Sequence, residues 1–341
     1  DGPMKKHVNI PIFIPHMACP HQCSFCDQRR IAGTQRPPDP GEVYTIIQKA
    51  IRTVNPSRQT CEIAFFGGSF TGIGTQLMRA YLDVAARFCG PASGIRLSTR
   101  PDYIDEERIK LLGAYPVTTV ELGAQSMDDA VLCCNGRGHT AQDTRRAAAL
   151  LRAAGFSLVL QMMTDLPGDT PAGAKRTAEA LCALCPDAVR IYPCVVVRGT
   201  ELERRYLAGE YAPAPLRESV DLCAQLLLYF EKMGVPVIRL GLHADSRFEA
   251  EDVAAGPFHP AFGELCENAV FYKLMHAALA GYAGRDSACV HVAPRALSKA
   301  AGHRRANVLA LERALGIGRV CIRPDAALTG RGLFAAPVNR D

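Results

Sequence analysis

The chain has 341 residues, more than one small domain needs and close to a single α/β barrel of roughly 250 residues with an appendage. Apolar residues make up 48% and charged residues 21%, with 29 Gly and 23 Pro, which excludes disorder, collagen and coiled coil and leaves ample material for a core. The formal charge of +5 is unevenly placed: His291 to Asp341 carries nine Lys and Arg against three acids, and the remainder is nearly neutral, so an anionic partner is expected there.

In chain order, apolar runs predict strands near Asn9 to Pro15, Glu62 to Phe66, Ile95 to Thr99, Thr118 to Gly123, Ser157 to Met163 and Ala188 to Val196. Helical patterns fall between them, at Gly41 to Thr53, Thr75 to Phe88, Asp105 to Leu112, Ala141 to Ala154 and Pro171 to Leu184. Asp105 before two glutamates and Thr170 before Pro171 are good start signals. Six continuous apolar strands alternating with helices imply parallel strands covered by helices, and a partial (β/α)6 barrel closes them most economically. After Arg198 the rhythm changes, with a helix predicted over Leu216 to Met233, an apolar run Val235 to Leu242, and a loop or linker over Ala244 to Phe262. A helix near Phe262 to Leu279, a strand near Val290 to Val292, a helix near Asn307 to Leu315 and a strand near Arg319 to Ile322 complete a small C-terminal α/β extension. The expected division is a barrel over 4–243 and an extension over 244–341, basic from about 291; Asp1-Gly2-Pro3 reads as a cloning remnant.

No stretch approaches about 20 uncharged apolar residues, and the N-terminus lacks the pattern of a signal peptide, so a soluble cytoplasmic protein with no membrane partner is expected. Fourteen cysteines in such a chain are thiols kept reduced rather than a disulfide framework, which suggests a strongly reducing or anaerobic cell. Three of them, Cys19, Cys23 and Cys26, follow the first strand at C-x3-C-x2-C spacing. Such a loop can turn three thiolates toward one iron-sulfur cluster. Zinc, with His16 or His21 completing the set, and unrelated thiols are the alternatives. Cys182, Cys185 and Cys194 could hold a second metal, although core packing accounts for them more simply.

Further motifs sit at the ends of successive predicted strands: Gly67-Gly68-Ser69-Phe70, Ser98-Thr99-Arg100-Pro101-Asp102, Glu121-Leu-Gly123-Ala-Gln125-Ser126, Asn135-Gly-Arg137-Gly138-His139, Gln161 before Leu166-Pro167-Gly168, and Arg190-Ile-Tyr192-Pro193. Taken with the cysteines and Phe25 ahead of the last of them, this order resembles the radical S-adenosylmethionine (SAM) enzymes, most nearly the catalytic subunit of Elongator and more loosely oxygen-independent coproporphyrinogen oxidase. The resemblance covers Asn9 to Tyr211, and the chain ends without room for the acetyltransferase domain of the Elongator subunit.

The resemblance implies that Cys19, Cys23 and Cys26 hold a four-iron, four-sulfur cluster whose fourth iron is chelated by SAM. It implies SAM contacts from Gly67, Gly68, Ser69, Ser98, Gln125, Arg137 and Gln161, with Phe25 beside them. The residues support parts of this independently. Two glycines let backbone approach a ligand, the Arg137 guanidinium matches a carboxylate, and the Gln161 amide within an apolar strand needs partners that a ligand can supply. Tyr192 and His243 are candidate catalytic residues for quenching a radical or exchanging a proton. The activity the resemblance implies is reductive cleavage of SAM by electrons from ferredoxin or flavodoxin, followed by hydrogen abstraction, with RNA, and tRNA within that class, as the expected substrate. A small metabolite or tetrapyrrole substrate, or a non-catalytic iron-sulfur RNA-binding protein, are the other readings. The basic extension either covers the barrel mouth or presents the substrate.

Overall fold

The computed structural model describes residues 6–15, 23–27, 36–90, 93–242 and 250–338, and every statement below concerns those. They fall into two compact units: the residues up to Pro215 with Phe230–Phe258, and Leu216–Tyr229 with the residues from His259 on.

The first unit alternates strand and helix. β1 (Lys6–Ile14) is followed by α1 (Pro40–Ile51), β2 (Gln59–Gly67), α2 (Thr75–Ala86), β3 (Ser93–Thr99), α3 (Glu106–Gly113) and β4 (Val117–Gln125). A short α4 (Asp129–Cys134) and then α5 (Ala141–Ala153) lead to β5 (Ser157–Thr164), α6 (Pro171–Cys182) and β6 (Ala188–Pro193). The helix starts are set by sequence: Asp39 and Thr140 form capping boxes with Glu42 and Asp143, and the Asp105 and Thr170 side chains accept from backbone N–H groups of the first turn. Such caps satisfy donors that the helix itself cannot.

The strands pair in parallel, in the order β1-β2-β3-β4-β5-β6 and then β8 (Val237–Leu240), the last lying within the apolar run after the long α8 (Leu216–Lys232). The partial barrel expected from six βα units is therefore present, with a seventh strand extending its curled sheet. Each strand alternates. Ile10, Ile12 and Ile14, Ile63 and Phe65, Ile95 and Leu97, Val120 and Leu122, and Leu158, Leu160 and Met162 are all at most 3% exposed. The opposite phase carries Asn9, Arg96, Ser98, Glu121, Gln161, Arg190 and Arg239. Burying one such aliphatic side chain is worth about 1.5–3 kcal/mol, so the apolar phase holds the sheet to its helices and frees the other phase for polar work.

The segment read as a loop over Ala244 to Phe262 differs from expectation. β9 (Val253–Ala255) pairs antiparallel with β7 (Val196–Val197), and the Arg198 amide donates to the Asp252 carbonyl at 2.9 Å. Gly256, at φ +107°, lies where a Cβ would come within 3.2 Å of Val195 Cα. Two short strands with few residues give no periodicity to read, which is why this pairing, and α7 (Glu201–Leu207), escaped the sequence.

In the second unit, α9 (Phe262–Leu279), α10 (Leu297–Ala301) and α11 (Ala306–Leu315) accompany a three-stranded sheet of order β11-β10-β12 (Arg319–Pro324, Ser287–Val292 and Leu333–Ala336). β10 runs parallel to β11 and antiparallel to β12. Its hydrophobic core has Phe271, Met275, Leu279, Val290, Val292, Val308, Leu311 and Val320 at its centre, and no ion pair is buried there among the described residues. No helix among the described residues is long and apolar enough to cross a membrane.

Candidate functional site

A cavity of about 630 Å³ opens within the first unit. Its lining brings together seven of the residues singled out in the sequence: Phe25, Cys26, Gly67, Ser98, Gln125, Gln161 and Tyr192. Gly67 and Gln125 end β2 and β4, and Pro193, also in the lining, ends β6. The thiol loop thus meets the C-terminal ends of the strands, where loops are free to vary and ligands bind in barrels of this kind. Cys23, Gly68, Ser69 and Arg137 are not part of the lining. Cys19 and His243 lie outside the described residues.

The loop from Cys23 to Asp27 is anchored by its backbone. The Cys26 amide donates to the Cys23 carbonyl at 3.1 Å and the Ser24 amide to the Asn135 carbonyl at 3.1 Å, while the Ser24 carbonyl accepts from the Leu202 amide at 2.7 Å. Asn135 is fully buried; its Oδ1 accepts from the Ser24 hydroxyl at 2.9 Å and its Nδ2 donates to the Val131 and Pro167 carbonyls. One amide therefore ties the cysteine loop, α4 and the Leu166-Pro167-Gly168 turn together. Phe25 packs among Val131, Leu166, Val196 and Leu202.

Arg137 is 7% exposed and reaches the same loop from behind. Its Nη1 donates to Cys23 Sγ at 3.3 Å and its Nη2 to the Gly123 carbonyl at 2.6 Å, while Nε is buried without a partner. A Cβ on Gly123 would stand 3.4 Å from Arg137 Nη2 and 3.0 Å from Gln125 Nε2, so glycine there leaves both side chains their room. Gln125 itself adopts φ +64°, uncommon for a residue with a side chain, and its Oε1 is buried with no partner. No carboxylate among the described residues pairs with Arg137. An unpaired buried cation is costly. Its cost falls if the Cys23 sulfur it faces carries negative charge, as it would on ligating a metal, and the unmet Gln125 oxygen is free to accept from a bound ligand.

Beneath the mouth lies a buried charge network. Glu121, 0% exposed, accepts from Arg96 Nη1 at 2.7 Å, Arg190 Nη2 at 2.6 Å and Gln161 Nε2 at 2.8 Å. Arg96 also donates to Glu62 at 2.6 Å, and Glu62 accepts from the Thr118 and Thr119 hydroxyls. Burial pushes the Glu62 carboxyl up, but Arg96 and those hydroxyls outweigh it and hold it below its ordinary range. The partner that the Gln161 amide required is thus Glu121. Sequence reading quoted Glu121 and Arg190 within motifs but gave them no role, and passed over Glu62, Arg96 and Arg239. The available signal was a charged residue recurring in one phase of otherwise apolar strands.

Other sequence candidates are placed elsewhere. Ser69 is buried against Thr99 and the Arg100 amide, and the Gly68 amide donates to the Ile14 carbonyl. The Tyr192 hydroxyl accepts from Arg190 Nη1 at 3.4 Å. Cys182 and Cys194 are buried, whereas Cys185 is exposed beyond the helix end at φ +51°. Among the described residues no three His, Cys, Asp or Glu side chains come together as a metal site.

A family model described as the radical SAM superfamily matches residues 13–181, and one described as the radical SAM C-terminal domain matches residues 186–271. A tRNA uridine(34) acetyltransferase of Methanocaldococcus infernus is 34% identical over 129 residues, 37% of this chain and 24% of that protein. Elongator complex protein 3 of Homo sapiens is 33% identical over 140 residues, covering 39% and 25%. The chain thus spans about a quarter of the length of these relatives. Among solved structures, an N-terminally truncated Elp3 from Methanocaldococcus infernus superposes with a TM-score of 0.58 at 20% identity, over 81% of this chain and 64% of that one. The coproporphyrinogen III oxidase of Escherichia coli does so with a TM-score of 0.51 at 15% identity, over 67% and 53%. At these identities the structures show the fold alone.

Proposed function

Since this chain belongs to the radical SAM superfamily and is an enzyme of that kind, we propose that Cys19, Cys23 and Cys26 hold a four-iron, four-sulfur cluster beside a SAM site lined by Gly67, Ser98, Gln125 and Gln161. Held there, the reduced cluster, with ferredoxin or flavodoxin as electron donor, would supply one-electron cleavage of SAM, with methionine leaving, for hydrogen abstraction from the substrate. The single observation that carries the reading is the buried Arg137, with one N–H on Cys23 Sγ and the cavity that holds Cys26 and Gln125 alongside. Arg137 orients the thiol loop from behind. Phe25 and its apolar neighbours keep water from that side of the loop. Tyr192, which lines the cavity and whose hydroxyl accepts from Arg190, is the residue we assign to proton or hydrogen exchange with the substrate.

The substrate we assign is RNA, and within that class tRNA. Two observations support this: one of the relatives just named is called a tRNA uridine(34) acetyltransferase, and the second unit carries most of the chain's cationic excess. Arg304 and Arg305 are exposed there on consecutive left-handed residues, at φ +50° and +62°. We take the second unit, which bears these arginines, to be the substrate-presenting part.

Anaerobic reconstitution followed by incubation with SAM, reductant and tRNA is the test. Wild type should take up four iron and four sulfide per chain, a stoichiometry set by the proposed cluster, and release 5′-deoxyadenosine, more with tRNA than without. The joint substitution of Cys19, Cys23 and Cys26 by alanine should abolish both. Full iron loading in that variant rejects the cluster assignment, and equal yield with tRNA and with heparin rejects RNA in favour of a small-molecule substrate.

A further inference from the structure

Inside the curled sheet one row of inward-facing residues crosses three strands: Gln161 on β5, Arg190 on β6 and Arg239 on β8, each the in-register neighbour of the next and each in the cavity lining. Like charges in register on adjacent strands repel unless something lies between them. Here Glu121 meets the charge of Arg190 but not that of Arg239. Two carboxylates, Glu62 and Glu121, face this interior, and Arg96 binds both while Arg190 binds Glu121. His7 also stands 3.1 Å from Glu62. The Arg239 side chain has no hydrogen bond or ion pair among the described residues, so among these the interior holds one guanidinium more than its carboxylates match. Arg190, 7% exposed, has its Nη2 on Glu121 and its Nη1 on Tyr192, with its face 5.4 Å over the Phe66 ring. Its Nε is buried with no partner.

We propose that the space between Arg190 and Arg239 is a subsite for an oxyanion of the substrate, a phosphate or carboxylate group, seated one inward-facing layer below Tyr192. A guanidinium offers a planar fork that matches such a group, and a desolvated oxyanion satisfies the Arg190 Nε and removes the cross-strand repulsion together. The aromatic floor of Phe66 and Phe13 holds the rest of the ligand away from water. Gln161 is the member of the row that also borders the proposed SAM site; Arg190 and Arg239 lie one and two strands farther along the sheet, so the anion is held beyond it. This inference rests on the radical SAM reading only in naming the occupant as substrate.

The test uses the full, cluster-loaded chain under anaerobic conditions and follows its thermal midpoint against inorganic phosphate, with chloride holding the ionic strength constant. Ligand binding to the folded state should raise the midpoint in wild type. Arg239→Gln should move the phosphate response to concentrations about tenfold higher or more, and Arg239→Lys should retain most of it. Arg239 is the position to change because it makes no bond whose loss would compromise folding, unlike Arg190. Acetate in a parallel series tells a carboxylate site from a phosphate site: the anion that acts at lower concentration names the class. Saturating SAM should leave the response in place. A wild type indifferent to both anions, or an Arg239→Gln variant with the wild-type response, overturns the proposal. Competition between phosphate and SAM overturns it as well, by giving the site to the cofactor's carboxylate. Wild type that is stabilised by phosphate yet makes no 5′-deoxyadenosine rejects the function above alone; wild type that makes it and ignores both anions rejects this subsite alone.

Discussion

In the first unit the space enclosed by the curled sheet is filled by Glu62, Arg96, Glu121 and Arg190, none more than 9% exposed. In the second, the space between sheet and helices is filled by Phe271, Met275, Val290, Leu311 and their apolar neighbours. Arg304, Arg305 and Arg319 of that unit stand exposed. Both units bury strands under helices, so the contrast is not one of architecture. A buried ion network is weak support for stability, because desolvation consumes much of the attraction. An interior that retains one is organised for a ligand; an interior without one is organised to hold its shape. The charges of the second unit are available to a partner at its surface, those of the first only to a group small enough to enter.

The largest effect expected is on the network. Glu121→Ala leaves Arg96 and Arg190 without their shared carboxylate and should cost about 3–5 kcal/mol in urea unfolding, the scale of breaking a buried pair. Glu121→Gln, which keeps the shape and removes the charge, should recover little of that. A loss below about 1 kcal/mol would mean that these groups behave as solvated ones, and the contrast between the interiors would collapse. In the second unit Leu311→Ala should cost about 2–4 kcal/mol through the cavity it leaves. There the volume-conserving Leu311→Met should hold the loss under about 1.5 kcal/mol, since shape rather than charge is what that core requires.

A smaller, pH-dependent effect belongs to His139, 4% exposed behind the site. Burial first, then the nearby Arg137 and Arg100 charges, push its imidazole down to about 4. The unfolded chain takes up a proton near pH 6.5 that the folded chain refuses until about pH 4, so stability present above pH 6.5 is lost as pH falls through that window, by about 2–3 kcal/mol. Asp169 acts with the opposite sign: burial and the Asp128 and Asp165 carboxylates raise it to about 6, so its contribution is lost as pH rises from about 4 to 6. The wild-type curve is therefore flattened, and the difference between wild type and His139→Asn, measured from pH 7.5 to 4, isolates the His139 slope. A flat difference curve would place His139 in contact with water.

Much of the fold was legible because its causes are local. Asp39, Asp105, Thr140 and Thr170 start helices through side-chain bonds to backbone one turn away, and the strands betray themselves by apolar runs of the right length. The cysteine spacing and the order of motifs were likewise readable, and they led to the right superfamily before any contact was known. What the sequence by itself determined, then, was the set of βα units and the kind of chemistry. Tertiary structure alone decided which polar residues meet. Gln161 finds Glu121 across 40 positions, Arg137 turns to Cys23 across 114, and Arg239 comes into register with Arg190 without a counter-charge among the described residues. The physical reason is that a strand's period places a side chain on one face or the other, while curling the sheet, a long-range event, brings those faces together around one interior.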